Sequence, residues 1–172
     1  MYDLELVALR THRDARGDLT ELYRDEWVGD RPVQWNLVSS RPNTLRGVHV
    51  HVRHADYLVP VAGTFLVGLC DLRADSPTFM QTRMVELSST APALLKVPPG
   101  VAHGFYFARE TVFTYGVTSY WDPVHDELGC RWNDPGLGMR WPVDDPLLSE
   151  RDATAPSCAL LLERLAALRA HC

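Results

Sequence analysis

Residues 48–54 read Val-His-Val-His-Val-Arg-His, and this alternation limits the fold more than any other stretch of the chain. Side chains of a strand alternate between its two faces, so His49 and His51 share one face while Val48, Val50 and Val52 share the other. Valines packed into one layer and imidazoles gathered in a cavity on the other describe the wall of a small β-barrel. Further walls follow. Residues 57–61 and 64–72 flank an Ala62-Gly63 turn, with Phe65, Val67 and Leu69 on one face of the second run. Residues 83–87, 94–97, 104–108 and 111–119 also read as strands, at the spacing of a sandwich or barrel. Only the tail has helical period. Across residues 157–170, Leu161, Leu165 and Leu168 fall at i, i+4 and i+7, with Glu163, Arg164 and Arg169 off that stripe. The expected class is all-β with a C-terminal helix that packs on the barrel or on a partner subunit.

Composition narrows the function classes. With 172 residues, 46% apolar and 23% charged, the chain suits one globular domain with a real core. No repeat or linker interrupts it, and residues 1–152 read as one folded unit. A formal charge of -5 argues against a nucleic-acid face. Pro60 and Gly63 break the longest apolar stretch, residues 58–69, so no membrane span is expected. Residues 1–5 carry no leader pattern, and Cys70, Cys130, Cys158 and Cys172 lie far apart without a CxxC pair. They read as reduced thiols of a cytoplasmic protein. Lys96 is the sole lysine among 17 basic residues, so any chemistry that demands an amine has one candidate.

A second histidine-bearing motif follows the first. His49-x-His51, then Asp56 and Gly63, is succeeded by Pro98-x-Gly100-x-x-His103. These spacings resemble the two motifs of the cupins, whose jelly-roll barrel, a double-stranded β-helix, holds a metal. The cupin likeness implies one divalent transition metal on His49, His51, Asp56 and His103, a donor set that suits Fe, Mn, Ni, Zn or Cu. A same-face pair of histidines is also often metal-free and hydrogen-bonded, with His54 then a solvated neighbour.

A longer resemblance runs through residues 14–21, Gln34-Trp-Asn36, Leu45-Arg-Gly-Val-His49, residues 71–79, residues 98–105, Phe113-Thr-Tyr115, residues 131–135 and residues 148–152. In this order and spacing the chain resembles the dTDP-4-dehydrorhamnose 3,5-epimerases, themselves of cupin fold. The likeness implies a single cupin domain over residues 1–172. Residues 1–30 would be an N-terminal segment exchanged between subunits of a homodimer, 31–145 the barrel, and 146–172 a C-terminal segment and helix. It implies an isomerase for a nucleotide (dTDP)-4-keto-6-deoxyhexose in deoxysugar biosynthesis, needing no cofactor and contacting neither nucleic acid nor membrane. Such an enzyme needs a base and an acid on opposite sides of the sugar ring. The family's base, its carboxylate partner and its acid fall on His49, Asp152 and Tyr115. Substrate contacts fall on Arg46 and His103 around the sugar, with Gln34 and Asn36 beside them. Asp71 would support the histidines, Arg16 and Glu21 would contact the nucleotide, and Trp121 would stack on the base or close the cavity.

Two positions depart from the family. Its usual Gln is His51, and the Lys that stabilises the enolate aligns with Asp56, while Lys96 lies elsewhere. Losing such an oxyanion partner costs about 10²–10³ in rate. The departures restore the four-residue metal set on an epimerase framework. The two site readings compete for His49, because a nitrogen bound to metal cannot accept a proton. With the metal set occupied, the chain would be a metal-dependent cupin enzyme, an oxygenase or isomerase; a third expectation is a non-catalytic binder of sugar nucleotides.

Overall fold

The period-two runs form strands wherever one of their faces finds an apolar partner. The computed structural model describes residues 1–120, 122 and 128–170. Among these, β1 (Glu5–Ala8), β4 (Gln34–Ser40), β6 (Asp56–Ala62), β9 (Ala93–Val97) and β11 (Thr111–Val117) make one antiparallel sheet in the order β1-β9-β6-β11-β4. A second sheet orders β5 (Thr44–His49), β10 (Val101–Phe107), β7 (Thr64–Asp71) and β8 (Thr82–Ser88) as β5-β10-β7-β8. β2 (Thr11–Asp14) and β3 (Gly17–Thr20) pair only with each other. The short helices α1 (Asp25–Val28) and α2 (Glu150–Ala153) precede the longer α3 (Cys158–Ala170). The all-β expectation with a C-terminal helix holds, and the runs read as strands lie within two or three residues of β6–β11.

Three apolar layers position the site. Leu58, Phe65, Val67, Leu69, Val97, Phe107 and Phe113 form the core between the two large sheets. On the outer face of the four-stranded sheet, Val48, Val50, Cys70, Leu72 and Ala102 meet Leu161 and Leu165 of α3. β7 is therefore covered on both faces, which explains its near-continuous apolar sequence. Leu168, expected on the same stripe, is exposed. The third layer, Tyr57, Val59 and Leu94 with Leu9 and Val28, seals the outside of the five-stranded sheet. Lys96 ties this layer down: its Nζ lies 3.1 Å from both Glu5 and Asp30 and donates to the Val28 carbonyl at 2.8 Å. The one lysine is thus structural.

Pro60 cannot donate to a ladder, and it sits where the β11–β6 register slips between Val112 and Phe113. Gly47, at φ 108°, is where β5 and β10 approach most closely. A Cβ there would lie 2.9 Å from both Gly104 Cα and the His103 carbonyl oxygen. Glycine alone permits this contact, which sets His103 directly opposite His49 across the ladder.

Candidate active site

The open side of the sandwich holds a cavity of about 510 Å³. Its walls come from both sheets: Arg46 and His49 on β5, His103 and Phe105 on β10, Asp56 and Leu58 on β6, and Phe113 and Tyr115 on β11, with His51 and Asp152 completing it. β5 ends at His49, so His51 follows the strand rather than extending it. The face assignment still holds, since both imidazoles line the cavity while Val48 and Val50 are buried on the other side.

His49 is held by a buried carboxylate. Ser149 caps α2 by accepting from the Asp152 amide at 3.1 Å, and this places Asp152 against β5. His49 Nε2–H donates to Asp152 Oδ1 at 2.7 Å, and the Gly47 amide donates to Oδ2 at 3.2 Å. Burial works against ionisation of Asp152. The bond and charge of His49, the Gly47 amide and a hydrogen bond from the Ser149 side chain outweigh it and hold the carboxyl below its ordinary pKa. With Nε2 committed to Asp152, the Nδ1 lone pair is the one left to take a proton. Tyr115 belongs to the opposite sheet. Burial and the nearby Asp56 charge raise its pKa against the opposing pull of Arg46, so its hydroxyl keeps its proton.

A second group of polar side chains lies on the same cavity. Asp56 Oδ2 stands 3.7 Å from His103 Nε2 and 4.0 Å from His51 Nε2. The His103 Nδ1–H donates to the Val101 carbonyl at 3.1 Å. Burial lowers the pKa of His103 to about 4 and that of His51 far below the usual imidazole range, with neighbouring histidines adding to the effect. His54 is buried, not solvated, and its ring stacks on His51 at 4.2 Å. The four-residue metal set does not assemble: His51, Asp56 and His103 converge, whereas the Nε2 of His49 faces Asp152.

The other expected residues divide. Gln34 donates to Asn36 at 2.9 Å, and both line a neighbouring cavity of about 90 Å³ that shares His51, Asp56 and Tyr115 with the main one. Asp71 does not reach either cavity. Its fully buried carboxylate accepts from Arg73, Ser76 and Thr78, so it organises its own turn instead of the histidines. Arg16 and Glu21 are exposed, paired with Asp14 and Arg24, and are not among the residues lining this chain's cavity. Trp121 lies outside the described residues. Arg41, Ser149 and Arg151 line the cavity without having been singled out. Of these, only Ser149, three residues before Asp152, carried a usable signal, that of a helix N-cap.

The sequence profile of the dTDP-4-dehydrorhamnose 3,5-epimerases matches residues 1–159. The chain belongs to the dTDP-4-dehydrorhamnose 3,5-epimerase family. The family's Pseudomonas aeruginosa member is 36% identical over 160 residues, covering 87% of this chain and 88% of that protein. Among solved structures, the Legionella pneumophila epimerase RmlC in complex with dTDP-4-keto-L-rhamnose superposes with a TM-score of 0.85 at 30% identity, covering 93% of this chain and 90% of the other. ChmJ, a 3′-monoepimerase from Streptomyces bikiniensis in complex with dTDP-quinovose, gives 0.85 at 29% identity over 95% and 87%. The two-sheet sandwich of this epimerase-family chain is accordingly the cupin jelly roll. Both 3,5- and 3-epimerases stand among its relatives.

Proposed function

We propose that the protein epimerises a dTDP-4-keto-6-deoxyhexose at C3, C5 or both, as a step in making a deoxysugar. One observation carries this reading: His49, bonded to the buried Asp152, and Tyr115 face one cavity from opposite sheets. The C4 ketone acidifies the C3–H and C5–H bonds. His49 Nδ1 takes one of these protons, the bonding pair moves into the ring C–C4 bond, and the carbonyl becomes an enolate. Asp152 holds the ring and stabilises its charged form. The Tyr115 hydroxyl then returns a proton to the same carbon from the other face, inverting it, and solvent resets both groups. Base and acid on opposite sides are what inversion requires.

Arg46 and His103 would contact the sugar, with Gln34 and Asn36 bordering it. Arg41, Arg46 and Arg151 lend the cavity the positive charge a diphosphate needs. Arg16 and Glu21 would contact the nucleotide held by a partner subunit. The separate β2–β3 hairpin, which carries Arg16 in its turn and ends just before Glu21, is consistent with such an exchange. A homodimer also accounts for the exposed Trp35 and Leu37 on the edge strand β4. Among the described residues no helix is long and apolar enough to cross a membrane, and a cytoplasmic location is part of the proposal.

The test is NMR of dTDP-4-keto-6-deoxyglucose in D₂O with and without the protein. Deuterium at C3, C5 or both supports the reading and assigns the carbon. Absence of exchange above the control, under conditions where the sugar nucleotide binds, overturns it in favour of a non-catalytic binder.

A further inference from the structure

Asp56, His51 and His103 come from separate parts of the chain: the start of β6, the segment after β5, and β10. Their ligating atoms nevertheless all lie within 4.8 Å of one another. We propose that these three side chains form a binding site for one divalent transition metal at the base of the cavity, and that His49 is not one of its ligands.

Four features support this site. The separations of 3.7 and 4.0 Å from Asp56 Oδ2 to the two Nε2 atoms exceed hydrogen-bond length. Ligands of one ion at about 2.0–2.2 Å each stand roughly 3–3.5 Å apart, so closure by small side-chain rotations suffices. The hydrogen bond from His103 Nδ1–H to Val101 fixes the tautomer and turns the Nε2 lone pair toward Asp56, as an outer partner does for a ligating histidine. His51 is braced by stacking on His54 and lies against His103 at 5.2 Å between ring centroids. All three side chains are at most 15% exposed, and the cavity on which they border leaves room for further ligands. Two imidazoles and one carboxylate with open positions suit Fe(II), Zn(II) or a similar ion.

The consequence for the reaction rests on the epimerase reading. A carboxylate with no metal ion, where the family places a lysine, would repel the enolate. A divalent ion reverses the local charge and would supply Lewis-acid polarisation of the C4 ketone. His49, bonded to Asp152, remains available as base, so metal and base no longer compete for one imidazole.

The experiment starts from the untagged chain stripped with EDTA and then dialysed. Zn²⁺ is titrated by calorimetry, and Co²⁺ by its visible d–d spectrum. The expected result is one ion per chain with a Kd below about 10 µM, and a Co²⁺ spectrum showing nitrogen and oxygen ligands. Asp56→Asn and His103→Gln should each weaken binding by at least about 100-fold, more than loss of an outer partner alone costs. His49→Gln should leave it within about threefold, since outright loss of a ligand costs far more. Spectra of the wild-type chain keep the test valid if a variant fails to fold. Sub-stoichiometric Zn²⁺, affinity unchanged in Asp56→Asn, or binding lost in His49→Gln overturns the site. Its catalytic role is read separately, as deuterium exchange that rises at least 10²-fold when Zn²⁺ or Co²⁺ is restored to the stripped enzyme, the scale of a lost oxyanion partner. Equal exchange in EDTA overturns the role. Stoichiometric binding with no exchange under any condition upholds the site and refutes the epimerase reading.

Discussion

Replacing Asp152 by Asn tests the centre of the catalytic reading, because this carboxylate serves the His49 ring and the Gly47 amide at once. One oxygen accepts from His49 Nε2–H at 2.7 Å and the other from the buried Gly47 amide at 3.2 Å. An asparagine keeps only one of these acceptors. If its oxygen stays on Gly47, its NH₂ points at Nε2 and drives the imidazole proton to Nδ1, occupying the lone pair that takes the substrate proton. If its oxygen turns to His49, the NH₂ meets the Gly47 N–H, and a buried donor is left unsatisfied at about 1–3 kcal/mol. That cost favours the first arrangement, the one that disables the base. The imidazolium formed during the reaction also loses its counter-charge, since hydrogen bonds to charged groups contribute about 1.5–3 kcal/mol against about 1 for neutral ones. An orienting carboxylate lost with inversion of its histidine tautomer lowers kcat by about 10⁴ elsewhere, and a fall of about 10³–10⁴ is expected here. The assay is the initial rate of deuterium incorporation into dTDP-4-keto-6-deoxyglucose in D₂O, alongside dTDP binding by calorimetry. Binding should stay within about threefold, because the change leaves the bulk of the cavity wall in place. Exchange within about tenfold of wild type would show that Asp152 does not orient the base, and the dyad argument would fail.

Tyr115→Phe removes the returning proton but not the abstracting base. Epimerised product should drop about 10²–10⁴-fold while deuterium exchange with retention persists, raising the NMR ratio of exchange to epimerisation. Asp71→Asn should lower urea stability by about 3 kcal/mol at pH 7, as breaking a buried charge network does. Burial opposes ionisation of Asp71, but its bonds from Arg73, Ser76 and Thr78 prevail and hold its folded pKa below the carboxylate range. The gain is therefore full well above the unfolded pKa of about 3.9 and is lost as pH falls through the folded value, so unfolding curves of wild type and variant should draw together progressively as pH drops below about 5. Gly47→Ala sets a methyl 2.9 Å from two backbone atoms at a positive φ. Strain of about 1–3 kcal/mol should appear in thermal melts, with exchange reduced because His49 and His103 are displaced together.

The strands that were legible are those whose apolar residues face the core. Phe65, Val67 and Leu69 announce β7, and its register follows from the pleat. β4 was missed because its pattern is inverted. Trp35 and Leu37 point outward and are exposed, while Gln34 and Asn36 face the small cavity, so alternation gives no sign of which face is inside. The end of α3 was over-read for a related reason: Leu168 continues the heptad-like spacing beyond the sheet that could cover it. Asp71 sits in a stretch that resembles the family, and sequence order alone does not distinguish a carboxylate that holds a turn from one that holds a histidine. Only its contacts with Arg73, Ser76 and Thr78 assign it.

The histidine cluster shows the same limit at the site itself. Spacing in sequence joined His49, His51, Asp56 and His103 into one set, since all four fall on inward-facing positions of a β-wall. What divides them is a residue about a hundred positions away. Asp152, brought in by the Ser149 cap, takes the Nε2 of His49 and so withdraws it from the other three. The two proposed chemistries then share one cavity without sharing an imidazole nitrogen: proton transfer at His49 of β5, paired with Asp152 of α2, and metal binding at Asp56, His51 and His103. The Lys-to-Asp departure from the family thereby has a physical rationale. A lysine at position 56 would carry its positive charge permanently. With the proposed site, Asp56, His51 and His103 carry it only when an ion is bound, and the proposed activity is then expected to depend on metal supply.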